Sequence, residues 1–346
     1  MKHITLSEDK QQRLVFYLAM EEYVAAHIAD LLPDTEPGKR EAFFMWQVPP
    51  TVIFGRNQVM EAEVNLPYCR EKGIHLYRRK SGGGCVYSDM GNIMLSYISD
   101  STDVAFTFDK FLQRLALALR RIGLDAERSG RNDVLVGGRK VSGNAFFLQP
   151  ASSIVHGTLL FDSDFDELTR AITPSDAKIK SKGVESVRQH VTNVREELLA
   201  IGDTKYTEIG RFKEYILSSF CAGDAEIVLS GPQVGEIRKI EATYLDPDFL
   251  AGRHHSFSLE RKGKIEGVGE LAVELQMEGD RIENCILKGD YFTLKDGVDK
   301  VLSERLKGAA NTAEGLGKAL EGIELADYVM GLKTGIFIGF MTSSGK

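Results

Sequence analysis

The sequence predicts a mixed α/β fold divided into a larger N-terminal domain and a smaller α+β C-terminal domain. Apolar residues recur at helical spacing over 10–31 and 106–122, and short β-rich runs fill the intervals between such stripes. The chain is also long: 346 residues exceed one typical domain of about 150. With 43% apolar and 27% charged residues, its composition is that of a globular protein able to bury a large core.

Taken in order, residues 10–31 set Leu14, Tyr17, Leu18, Ala25, Ile28 and Ala29 on one helical face, so this segment packs on something. Strands are expected at 43–48 and 52–54, a helix through 68–72, and strands at 74–79 and 92–98. Phe108, Phe111, Leu112, Leu115, Leu119 and Ile122 form the stripe of helix 106–122. Val134–Val136 and Arg139–Phe146 read as a hairpin, because Gly137-Gly138 supplies the positive φ of a tight turn. Regular alternation along the second strand places Lys140, Ser142 and Asn144 on one face and Val141, Gly143 and Ala145 on the other.

A strand at 154–161 and a helix at 164–172 follow, and then residues 174–192, rich in Lys, Ser and Gly without periodicity, read as a long functional loop. Helices are expected at 206–220 and 232–243, a break at 246–255, a hairpin from 268–276 with 281–287, and helices at 297–307 and 311–321. The domain limits are therefore 1–248 and 263–346, joined by a linker over 249–262.

The composition excludes several classes of function. A net charge of -7 gives no electrostatic footprint for nucleic acid, so an anionic ligand must be met locally. No run approaches the roughly 18 apolar residues of a membrane helix, and Leu14–Met20 is flanked by charges, unlike a signal peptide. Cys69, Cys85, Cys221 and Cys285 lie far apart without a CxxC pair, which favours neither zinc nor a disulfide framework and points to a reducing, cytoplasmic setting. There is no GxSxG or HExxH.

The densest chemical signal is Arg78-Arg79-Lys80-Ser81-Gly82-Gly83-Gly84-Cys85-Val86-Tyr87. Successive amides without Cβ obstruction approach an anion closely, and Arg79 adds a charge-assisted contact; the alternative is a glycine-rich turn at a sheet edge. Without a following Lys-Ser/Thr pair and helix this is not a Walker loop. Cys85 reads as a small buried residue at the start of a strand. Lys140, in Gly138-Arg139-Lys140-Val141-Ser142-Gly143, either carries chemistry among small neighbours or reaches solvent as most strand lysines do. Ser129-Gly130-Arg131-Asn132-Asp133 packs polar groups before the hairpin or forms an ordinary turn, and His156 is a catalyst or a satisfied core histidine.

Together with Tyr17–Glu22, Val52–Gln58, His156–Leu160, Ser181–Val184, Ser186–Arg188 and Val191–Asn193, these segments in this order resemble the lipoate-protein ligase family. The likeness is densest over residues 13–200 and continues through Gly289-Asp290-Tyr291-Phe292. The resemblance implies a catalytic domain shared with biotin ligases and a smaller accessory domain. It also implies ATP and lipoate as substrates, Mg²⁺ arriving with ATP, a lipoyl-AMP intermediate, and transfer to a lysine of an E2 subunit or glycine cleavage H protein.

By match to the family's motifs, Lys140 is the principal catalytic residue. Arg79, Gly84, Cys85, Val86, Tyr87, Asn132, Asp133 and Lys182 join it around the nucleotide, while Arg79, Ser81, Gly82, Gly83, Gly143, His156 and Gly157 join it around lipoate. The expectation is that Lys140 and the glycines converge on one acyl-phosphate anhydride, with small residues such as Gly143 and Gly157 leaving room for lipoate. Cys85, Ser88 and Lys80 stand where the family usually has Ala, His and Ser. The only tryptophan is Trp46, so the usual Trp-containing connector between domains is absent. Competing readings are an acyltransferase of the same fold with a Cys nucleophile, a biotin ligase, and a non-catalytic binder of lipoyl domains. Against the first, no cysteine lies between Cys85 and Cys221.

Overall fold

The structure is a computed structural model that describes residues 1–7, 10–130, 132–172, 190–221, 223, 226–252 and 259–343. It contains the expected mixed α/β architecture with a C-terminal α+β part. Two compact units divide the chain, the first formed by Met1–Ile53, Glu61–Arg79 and Val86–Leu250, the second by Phe54–Met60, Lys80–Cys85 and Ala251–Lys346. Two short stretches of the N-terminal half thus belong with the C-terminal residues.

The first unit is built on strands β1 (Lys2–Leu6), β2 (Glu41–Trp46), β3 (Thr51–Phe54), β4 (His75–Arg78), β5 (Val86–Ser88), β6 (Asn92–Ser99), β7 (Ala126–Ser129), β8 (Asp133–Val136), β9 (Arg139–Gln149), β10 (Ser152–Leu160) and β11 (Glu226–Leu229). Eight of them form one sheet in the order β11-β1-β2-β6-β10-β9-β8-β7, and β4-β3-β5 form a small separate sheet. From β2 to β7 the large sheet is antiparallel, whereas β1 pairs in parallel with both β11 and β2.

Helix α1 (Leu14–Ala26) lies on one face of this sheet. The expected helix over 10–31 is interrupted at His27, after which a short α2 (Ile28–Leu31) follows. Val15, Phe16, Ala19 and Val24 of α1 form one core with Phe44, Trp46, Ile98 and Ile154 of the sheet. Alternation along β2 sends Phe43 to the opposite face, where its ring stacks on Phe220 at 4.5 Å. There too Tyr97 stacks on Phe111, at 5.8 Å, from the helix Val104–Arg121. That helix is capped by Asp103, whose carboxylate accepts from Phe106 N.

In the second unit three antiparallel strands, β12 (Leu259–Ile265), β13 (Gly269–Glu278) and β14 (Arg281–Gly289), cover a core of Leu271, Val273, Leu275, Leu302, Leu306, Leu316 and Phe337. The hairpin expected from 268–276 with 281–287 is present as β13–β14. Strands β1, β7, β11 and β12 and the helix Thr334–Thr342 were not anticipated, and the expected break at 246–255 includes a short helix, Pro247–Ala251. The loop expected over 174–192 falls mostly outside the described residues.

Candidate active site

Lys140 sits at a kink in β9 that alternation did not foresee. The turn itself is as expected, with Gly137 at φ 55° and Gly138 at φ 77°. Pairing with β8 then slips: Val136 faces Arg139 and Leu135 faces Lys140, but Val134 faces Ser142 and Asp133 faces Gly143. Val141 is therefore an extra residue, a β-bulge, and every side chain beyond it changes face. Lys140 consequently shares its face with Gly143, not with Ser142 and Asn144, which corrects the alternation expected from the sequence.

The bulge brings the Lys140 side chain back over Gly143. A Cβ there would lie 2.7 Å from Nζ and 2.8 Å from Cε. Across the ladder, Asp133 Oδ1 is 2.8 Å from Lys140 Nζ. Gly143 N is 3.2 Å from Thr158 Oγ1, which fixes the strand beneath. The lysine's own backbone carries a further tie: Thr192 N donates to Lys140 O at 3.0 Å, and Val191 forms an isolated parallel bridge with Lys140. The room expected at Gly143 is thus taken by the lysine itself. We predict that Gly143→Ala keeps the fold while moving the ammonium away from Asp133, lowering activity about 100-fold, as misplacement by ~1 Å can. Thermal melting and turnover on the same sample check this.

Gly157 has an equally specific occupant. Asn144 Oδ1 stands where its Cβ would be, so this glycine accommodates the buried Asn144 amide. His156 beside it is 7% exposed, and its Nδ1 is 2.7 Å from Glu21 Oε2. Glu21 Oε1 accepts from Ser96 Oγ at 2.5 Å, and Ser96 Oγ accepts from Trp46 Nε1 at 2.9 Å. One buried polar chain therefore joins α1, β2, β6 and β10. Glu21, Ser96 and Trp46 were not among the residues expected at the site; the carboxylate pair Glu21-Glu22 inside an otherwise apolar helical stretch was the available signal.

Burying a carboxylate and an imidazole together stabilises only while each keeps its partner. We expect Glu21→Ala to cost about 3 kcal/mol, because it removes the buried carboxylate that both His156 Nδ1 and the Ser96 hydroxyl meet. Urea unfolding followed by the fluorescence of the single tryptophan, Trp46, measures it; a loss below about 1 kcal/mol would contradict the expectation.

Arg78 and Arg79 close the small sheet. Arg79, 5% exposed, donates from Nη1 to Ile53 O at 3.3 Å, and Arg78 donates from Nε to Leu250 O at 3.1 Å. Burial pulls the Arg78 guanidinium down to about 10, partly offset by Glu61, so it remains charged at neutral pH. Val86 and Tyr87 pair with Ile53 and Val52, and burial raises the Tyr87 phenol.

Ser81, Gly82, Gly83, Gly84 and Cys85 belong to the second unit, where the three glycines answer three different demands. At Gly82 a Cβ would collide with Tyr291 O and reach 3.0 Å from Phe292 Cα. Gly83 has φ 89°, and its amide donates to Tyr291 O at 3.3 Å. A Cβ at Gly84 would meet nothing nearer than Asp290 Oδ2, at 3.9 Å. The same turn receives Asn57: its carbonyl accepts from Gly289 N at 2.9 Å, and its amide donates to Thr293 Oγ1 at 3.3 Å. Cys85 is half-buried and immediately precedes β5, where a small buried residue at the start of a strand was expected.

Lys182 lies outside the described residues. Among those that are described, no group of three or more His, Cys, Asp or Glu side chains could hold a metal ion. The other cysteines are buried, and burial raises the thiols of Cys69 and Cys285 to about 11 and about 12, so neither is a ready thiolate.

Residues 14–221 match the family described as "Lipoyl protein ligase A/B catalytic domain", and residues 254–340 match "Bacterial lipoate protein ligase C-terminus". Lipoate-protein ligase LplJ of Bacillus subtilis (strain 168) is 35% identical over 318 residues, covering 90% of this chain and 91% of that protein. Among solved structures, P. falciparum LipL1 in complex with lipoate aligns with a TM-score of 0.69 at 21% identity, covering 95% of each chain. A lipoate-protein ligase A bound with ATP aligns at 0.58 and 23% identity, covering 72% of this chain and 98% of that one. On the identity to the Bacillus protein across nine-tenths of both chains, and on matches to both family domains, this chain belongs to the lipoate-protein ligases and is an enzyme.

Proposed function

We propose that this ligase works in two half-reactions, with lipoate and MgATP as substrates and a lipoyl-AMP intermediate. In the first, a lipoate carboxylate oxygen attacks the α-phosphorus of ATP, the bond to the β-phosphate oxygen breaks, and pyrophosphate leaves. In the second, the uncharged amine of an acceptor lysine attacks the acyl carbon, loses a proton, and expels AMP. The acceptors are lipoyl-domain proteins, E2 subunits or glycine cleavage H protein, and the setting is cytoplasmic. Magnesium arrives with ATP, held mostly through its phosphate oxygens and water.

The observation that carries this reading is Lys140. Its Nζ is held above a glycine and 2.8 Å from a carboxylate, on a strand whose kink puts all three groups on one face. Adenylation brings an anion to an anion, and a positioned ammonium offsets charge that builds on the phosphoryl and acyl oxygens in the transition state. Asp133 orients that ammonium until substrate oxygens take its place.

Around the nucleotide we assign Lys140, Arg79, Gly84, Cys85, Val86, Tyr87, Asn132, Asp133 and Lys182. Around lipoate we assign Lys140, Arg79, Ser81, Gly82, Gly83, Gly143, His156 and Gly157. Gly143 and Gly157 act there through what they admit, the Lys140 ammonium and the Asn144 amide. The test is pyrophosphate release from lipoate and MgATP without acceptor. Release supports the reading; its absence, with lipoyl transfer still seen from synthetic lipoyl-AMP, would reduce the enzyme to a transferase.

A further inference from the structure

We infer that Asn144 is a positioning residue for Lys140, acting through Asn132 and Asp133; this rests on the reading of Lys140 given above. Asn144 is 3% exposed and sits beyond the bulge, on the face opposite Lys140, so it does not touch the ammonium. Its influence passes through the turn before β8.

Three hydrogen bonds tie Asn144 to Asn132. Its backbone N donates to Asn132 O at 3.1 Å, its Nδ2 donates to the same carbonyl at 2.9 Å, and its O accepts from Asn132 Nδ2 at 2.8 Å. Nδ2 also donates to Ser142 Oγ at 3.0 Å, which braces the residue next to the bulged Val141. The adjoining residue in the chain, Asp133, is the one whose carboxylate holds Lys140 Nζ at 2.8 Å.

The geometry also explains why this asparagine has one pose. Its Oδ1 occupies the space of an absent side chain at Gly157, so the amide is clamped between β8 and β10. A carbonyl receiving two donors from one residue cannot rotate without losing both bonds. Asn132 is thereby fixed, and the carboxylate one residue later is delivered to Lys140 with little freedom. In transition-state terms, Asn144 contributes preorganisation and no contact of its own, so its loss should appear in kcat and leave substrate affinity nearly unchanged.

The experiment is a double-mutant cycle on the full chain between Asn144→Ala and Asp133→Asn, read by pyrophosphate release with kcat and KM for lipoate and ATP. We expect Asn144→Ala to lower kcat about tenfold, with both KM values within about twofold, and to lower the melting temperature by a few degrees as the buried amide's hydrogen bonds are lost. Added to Asp133→Asn, it should lower kcat no further. Unchanged kcat in Asn144→Ala, or additive losses in the double variant, would overturn the inference. Should the alanine variant fail to fold, Asn144→Asp, which keeps the shape and removes both donors, provides the same comparison.

A second readout does not depend on Lys140 being catalytic. This is the rate at which an amine-reactive ester labels Lys140 across pH, followed by peptide mass and normalised to the exposed Lys39. A changed Lys140 profile in Asn144→Ala, with Lys39 unaltered, supports the relay even if Lys140→Ala were active; an unchanged profile counts against it.

Discussion

On the proposed mechanism, replacing Lys140 by alanine is expected to lower pyrophosphate release from lipoate and ATP by about 100- to 1,000-fold, as removal of one positioned charge-stabilising group does. Transfer from preformed lipoyl-AMP should fall as well, because the same ammonium would meet oxyanion charge in both steps. Stability should change little. Lys140 is one-third exposed, its side chain lies over a glycine, and its partner Asp133 is similarly exposed, so the ion pair is worth at most about 1 kcal/mol. Truncation relieves crowding over Gly143 and leaves no cavity in a packed core. The contrast between activity and melting temperature is the decisive feature. Near-normal turnover in a well-folded Lys140→Ala would remove Lys140 from the mechanism.

The second large effect falls on the glycine loop and has a different origin. Gly82→Ala drives a methyl group into the Tyr291 carbonyl and against Phe292 Cα, both backbone atoms of a buried turn. No rotamer change can accommodate it. Either the loop or the Gly289–Phe292 turn must shift, at a cost of about 1–3 kcal/mol, typical of overpacking. The Gly83 amide bond to Tyr291 O would be lost in the process. Hydrogen exchange should therefore rise over residues 80–85 and 289–292. Gly84→Ala is the control, since it meets only a side-chain oxygen at 3.9 Å and its backbone has no positive φ. Equal exchange in the two variants would mean that Tyr291 does not hold the loop.

Local patterns carried much of the fold into view before any coordinates. The Gly137-Gly138 turn, the helix Val104–Arg121 and the hairpin β13–β14 all follow from neighbours within a few residues. Candidate residues such as Lys140, Asp133 and His156 were equally visible, because unusual polar types stood in glycine-rich or apolar surroundings. What stayed hidden depends on residues distant in the chain. Strand β1 owes its place to β11, more than 200 residues later, and neither has a strong pattern of its own.

The sequence by itself determined the element types over most of the first 172 residues, the division into a larger and a smaller part, and which side chains were worth watching. It did so because periodicity and turn chemistry are short-range. Tertiary structure alone decided that Val141 is a bulge, that Lys140 therefore lies over Gly143 beside Asp133, that Gly157 houses an asparagine, and that the glycine loop rests on Tyr291. Each of those outcomes is a contact between strands or turns brought together by pairing, and one residue of slip in that pairing reverses which groups meet.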